Sequence, residues 1–113
     1  MNDCLYCIVA HGAIPRIYAK NPYVADQVAA DYHQADITPR QKAMLAFALN
    51  RAKGVEIIDE DFAALRAHGF SDEDVWHIGA IAAFFALSNR MAGSIGMRLN
   101  EELYLLGRVP KPK

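Results

Sequence analysis

A chain of 113 residues with net charge -1 suits one domain, large enough to bury a core without disulfide staples. The near-neutral balance gives no electrostatic reason to expect nucleic acid or an anionic membrane as partner. The longest apolar run, Ile78 to Leu87, falls well short of the ~20 residues that span a bilayer. No signal-peptide pattern opens the sequence, so a reducing cytoplasm is the expected setting. The hydrophobic share of 53% points to apolar surface reserved for contacts between subunits.

The first element carries the chemistry. Both cysteines, Cys4 and Cys7, lie three positions apart, with His11 one helical turn past the second. On a helix starting at Cys4 these three residues stand at i, i+3 and i+7, on one face. Asn2 or Asp3 supplies a capping oxygen, and the first turn, with its unpaired N–H groups and positive dipole end, favours thiolate over thiol. His11, protonated or donating a hydrogen bond, pushes Cys7 the same way. Two cysteines so close form at most a small, reducible ring. The rival readings are two small buried apolar residues, or a C-x2-C-x3-H zinc site lacking a fourth ligand. A c-type haem box is excluded, because Ile8 follows Cys7. Pro15 is expected to stop or kink this helix, and Gly12 to weaken it.

Asn21-Pro22 reads as a cap followed by proline at the first helical position, with Tyr23, Val24, Val28 and Tyr32 as an apolar stripe running to about His33. Thr38-Pro39-Arg40-Gln41 is a capping box with proline at N1, opening a helix that closes near Gly54. Asp59 is expected to cap a short helix bearing Phe62 and Leu65, stopped by Gly69. Ser71-Asp72-Glu73-Asp74 starts the longest helix, which should reach about Arg98, roughly 40 Å at ~1.5 Å per residue. Its segment from Ile78 to Leu87 is apolar all round and is expected to be the buried centre of a bundle. His33 and His68 fall at helix C-terminal ends, where a cation suits the dipole, and His77 reads as a hydrogen-bonded interior histidine. Asn89-Arg90 follows the apolar run, and the arginine pairs with a carboxylate across a subunit boundary, lines the mouth of a pocket or lies on solvated surface. A brief turn or helix holds Leu103, Tyr104 and Leu106, and residues 107–113 read as an extended tail. No stretch shows sustained period-two alternation, so the fold class is all-α.

Four blocks in order, Asn2 to Gly12, Thr38 to Leu45, Gly69 to Glu73 and Ser88 to Ala92, resemble the peroxidase-related branch of the alkylhydroperoxidase D-like, carboxymuconolactone decarboxylase superfamily. The C-x-x-C-x3-H core is the specific part. The resemblance implies a single-domain helical bundle over residues 1–113 that assembles as a homo-oligomer. It implies a thiol-dependent, antioxidant peroxidase acting on small hydroperoxides, needing neither metal nor other cofactor and regenerated by a dithiol or a protein reductant. Carried over by position, Cys7 is the peroxidatic thiol, Cys4 the proton donor and then the resolving thiol of a Cys4–Cys7 disulfide, and His11 a member of the proton relay. The family relay also uses a glutamate upstream of the first cysteine, and no residue here matches it, since only three residues precede Cys4. His11, a carboxylate from another subunit, or no base at all then serves Cys7. Two other functions fit the same motif: a thiol–disulfide oxidoreductase or redox sensor, and a catalytically silent oligomeric scaffold.

Overall fold

The computed structural model describes residues 5–108, apart from the side chain of Tyr6. Among them are six helices and no strand: α1 (Leu5–Ala19), α2 (Val24–Asp31), α3 (Pro39–Ala52), α4 (Asp59–Ala67), α5 (Asp72–Ser94) and α6 (Glu102–Leu105). The all-α expectation therefore holds. The described residues divide into two compact units, one of Ile37–Ser88 and the other of residues 5–36 together with 89–108.

In the unit Ile37–Ser88 the helices begin where sequence chemistry says they should. Thr38 Oγ1 accepts from the Gln41 N–H at 3.1 Å, and Gln41 Oε1 accepts from the Thr38 N–H at 2.9 Å. Pro39 occupies the first position, where a missing N–H costs nothing. Ser71 and Asp74 form the same reciprocal pair at 3.1 and 2.8 Å, and these bonds hold the Asp74 carboxyl below the ordinary carboxylate range. At α4 the expected cap is corrected by one residue. Ile58 is the N-cap and Asp59 already lies in the helix, because Asp61 Oδ2 reaches back to the Ile58 N–H at 3.0 Å. Phe47, Leu65, Phe70 and Val75 form the core here, with Met44, Ile57, Phe62 and Ile78 packed around it. Arg40 roofs this core, its guanidinium 3.9 Å from the centre of the Phe70 ring and its Nε donating to the His68 carbonyl at 3.0 Å.

The longest helix ends at Ser94, short of the expected Arg98. Gly96 takes φ 62, its N–H donates to the Gly93 carbonyl at 3.2 Å, and the Met97 N–H donates to the Ala92 carbonyl at 3.0 Å. That pair of bonds is a Schellman stop, and only glycine enters its left-handed position without steric cost. The expected burial of Ile78 to Leu87 is also overturned. Ile81, Phe84 and Leu87 are exposed, and α5 gives only Val75 and Ala92 fully to the interior. A helix apolar on every side has no preferred inward face.

In the other unit α1 packs on α2 and α6. It runs through Pro15 to Ala19 rather than stopping there. Proline removes one rung of the hydrogen-bond ladder, and the burial of Ala13 and Arg16 on either side of it outweighs that loss. Gly12 has a packing reason in place of the expected weakening. A Cβ there would stand 3.2 Å from Arg16 Nη1 and 3.4 Å from the Ala25 Cβ, so glycine is what lets α2 and the guanidinium approach. Asn21 is not the N-cap of α2, which is Tyr23; its Oδ1 instead accepts from the Tyr23 N–H at 2.9 Å in the preceding turn.

Residues 107 and 108 form a turn, not the start of an extended tail, and 109–113 lie outside the described residues. Arg108 donates through two nitrogens to the Asp26 carboxylate, at 2.7 Å for Nη2 to Oδ1, which ties this turn to α2. Arg108 holds the Asp26 carboxyl below its ordinary value, chiefly by hydrogen bonding. A depressed carboxylate pKa adds stability above the unfolded value of about 3.9, and that stability is lost as pH falls through the lower folded value. Urea unfolding between about pH 6 and about pH 3 should therefore show an acid-labile component that Asp26→Asn removes, worth at most ~1 kcal/mol for so exposed a pair.

Candidate functional site

Cys7 is the third described residue of α1. It is 5% exposed and packs against Ala92 near the end of α5. It carries no free thiol, being disulfide-bonded in this structure. The other cysteine, Cys4, lies outside the described residues, so its expected role is placed by sequence alone. His11 stands one turn beyond Cys7 on the same helix, exposed to solvent. The structure thus puts two of the three expected site residues on one helical face, the sulfur inward and the imidazole at the surface.

Burial around Cys7 penalises a thiolate. A low-pKa thiol needs a cation or donor near it, and His11, one turn on, is the group of α1 positioned for that part.

The remaining histidines lie on other elements. His33 follows the end of α2, its backbone N–H donating to Asp31 Oδ1 at 3.0 Å and its ring 4.0 Å from that of Tyr32. His68 caps α4 through its backbone. His77 is exposed beside Trp76, which corrects the expectation of an interior histidine: it lies on the solvent side of the first turns of α5. Among the described residues no three His, Cys, Asp or Glu side chains converge as metal ligands. No helix among them is long and apolar enough to cross a membrane.

Two polar residues near this region were not legible as buried from the sequence. Arg16 is only 2% exposed, its Nε donating to the Leu106 carbonyl at 3.0 Å and its Nη2 to the Leu103 carbonyl at 3.3 Å. Burial pulls its pKa down, as does Arg108, while Asp26 opposes them. Asn89, for which the sequence alone carries no separate reading, has its Oδ1 sealed from solvent and without a hydrogen-bond donor. Arg90, next to it, is exposed. A polar residue directly after an apolar run was the available signal for Asn89, and it does not distinguish a rim from an interior position.

No family model matches the sequence, and no curated protein matches it. Solved structures do. One is the alkylhydroperoxidase AhpD core, a peroxidase-related protein from Ralstonia eutropha JMP134, at 65% identity and TM-score 0.91. The match covers 97% of the present protein and 58% of that one. A second, a peroxidase-related protein from Silicibacter sp. TM1040, shares 38% identity at TM-score 0.87, over 95% of the present protein and 56% of its own length. The chain thus spans somewhat more than half the length of the proteins it resembles. With the helix order and the placement of Cys7 and His11 on α1, these likenesses show that the chain belongs to the peroxidase-related branch of the alkylhydroperoxidase D-like proteins.

Proposed function

We propose that this protein is the redox core of a thiol-dependent peroxidase for small hydroperoxides. The observation that carries the reading is Cys7 itself: disulfide-bonded and buried on α1, with His11 one turn on. A peroxidase cycle begins with the Cys7 thiolate attacking the terminal oxygen of the hydroperoxide. The S–O bond forms, the O–O bond breaks, and the departing alkoxide takes a proton from Cys4, leaving an alcohol and a Cys7 sulfenic acid. The Cys4 thiolate then attacks the Cys7 sulfur and expels water once a proton reaches the oxygen, closing a Cys4–Cys7 disulfide. Two electrons and two protons from an external dithiol or a protein reductant restore both thiols. In this scheme the disulfide-bonded Cys7 is the oxidised end of the cycle, and His11 delivers protons from the solvent side.

The chemistry uses no metal and no cofactor, and a cytoplasmic setting suits a disulfide that must be re-reduced. A homo-oligomer is part of the same reading. Ile81, Phe84, Leu87 and Met91 form an exposed apolar stretch along α5, which a second copy of the protein would cover.

Intact mass after one equivalent of cumene hydroperoxide tests the reading on the reduced protein. Loss of two hydrogens within seconds, with a disulfide mapped to Cys4 and Cys7, is the expected result. An unchanged mass over minutes overturns it. Rapid exchange with protein disulfides alongside that inertness selects the oxidoreductase or sensor, and inertness to both selects the scaffold.

A further inference from the structure

Trp76, Ile81, Phe84 and Leu87 of α5 are each more than half exposed, and His77 among them is exposed as well. Steps of three and four residues link His77, Ala80, Phe84 and Leu87 into one stripe, the spacing that places side chains in the seam between two packed helices. A long apolar stripe facing water marks a contact surface. Size and charge along the stripe decide what fits it. Ala80 and Phe84 lie equally far from Ala82, on either side of it, and so do His77 and Leu87. A second α5 laid head to tail at that level therefore meets Phe84 with alanine and Leu87 with histidine, twice each. Large side chains then fill the space that small ones leave. Two parallel helices would instead stack Phe84 on Phe84 and Ala80 on Ala80, one layer overfilled and the next empty. They would also bring together the two acidic first turns, Asp72, Glu73 and Asp74, and align the helix dipoles.

We propose that α5 is the helix through which two copies of this protein pair, packed antiparallel about Ala82, with Phe84 of each copy seated over Ala80 of the other. The inference rests on the reading of this face as a contact between copies, but not on any reaction with peroxide. It adds to that reading the occupant's element, its direction and its register.

Sedimentation over a series of concentrations compares the wild type with Phe84→Glu. Phe84 is exposed on a single copy, so the charge should leave the fold intact, and circular dichroism checks that it does. In the pair, two carboxylates would be shut against alanine with no cation to meet them. Association is expected to weaken at least about 100-fold. A Phe84→Glu protein that associates within about threefold of the wild type overturns the proposal, and so does a wild type that is monomeric throughout the series.

A second measurement reads the direction and leaves Phe84 in place. A nitroxide is attached to Glu73→Cys while Cys7 remains disulfide-bonded, and dipolar electron resonance gives the distance between the labels of a pair. Residue 73 lies nine positions from Ala82, so antiparallel packing separates the two labels by roughly 27 Å along the helix axis. Parallel packing leaves only the ~10 Å between neighbouring axes. A distance near 30 Å is expected, and one below about 20 Å overturns the proposal. Neither experiment contains peroxide, so a protein inert to hydroperoxides still answers. Copies that pair in parallel would sink this geometry while leaving a homo-oligomer standing.

Discussion

Replacing Cys7 with serine is expected to reduce hydroperoxide turnover to the uncatalysed level, while Cys4→Ser is expected to permit one turnover and then stop. The asymmetry follows from the separate tasks of the two sulfurs. Attack on the O–O bond needs a thiolate, and a serine hydroxyl at this position of α1 does not ionise at neutral pH. With Cys7 intact and Cys4 replaced, the first step still proceeds with a proton from water or His11, and the sulfenic acid then has no thiol to resolve it. Intact mass should show Cys4→Ser gaining a single oxygen, trapped by dimedone, where the wild type loses two hydrogens. Full activity in Cys7→Ser would sink the assignment of the peroxidatic thiol. Full activity in Cys4→Ser would instead show that an external thiol resolves Cys7 directly. His11→Ala should slow the first step without abolishing it, since water can still carry the proton.

The parts of this fold that short-range chemistry decides were legible in the sequence. Thr38 and Gln41, and Ser71 with Asp74, cap their helices as their spacing implies. Gly54 and Gly69 end theirs as glycines at such positions should. Misreadings occurred where long-range contacts outweigh local preference. Pro15 argues for a stop, yet α1 continues because its flanking residues are buried. The apolar run of α5 argues for a central helix, yet hydrophobicity alone does not say which element covers it, and Ile81 and Phe84 remain exposed. At the site, the spacing of Cys7 and His11 was visible from the sequence, whereas the interior position of Asn89 depends on its distant packing partners. The role of Cys4 rests on resemblance, since it lies outside the described residues.

Arg16 is the clearest case of a residue whose importance local sequence hides, and its replacement has a large expected cost. Its two acceptors are carbonyls 90 and 87 positions away in sequence. Leu103 and Leu106 lie within and just past α6, a helix of 4 residues that leaves most of its carbonyls without helical donors. The guanidinium fork answers two of them at once from α1, so it caps the C-terminal end of α6 from another helix. Arg16→Met preserves much of the apolar stem and removes the desolvation cost of the charge, but strands both carbonyls in the interior. The net loss is expected to be about 2 kcal/mol, on the scale of charge-assisted hydrogen bonds and orphaned buried acceptors. Arg16→Lys is expected to do no better, because a compact ammonium keeps the burial cost and lacks the fork. Urea unfolding gives the magnitude, and hydrogen exchange gives the location: amides of residues 103–108 should lose protection in both variants before those of α3 and α4 do. A Met variant within about 0.5 kcal/mol of the wild type would mean that water replaces the fork at these carbonyls, and that α6 is held by its apolar contacts with α1 instead.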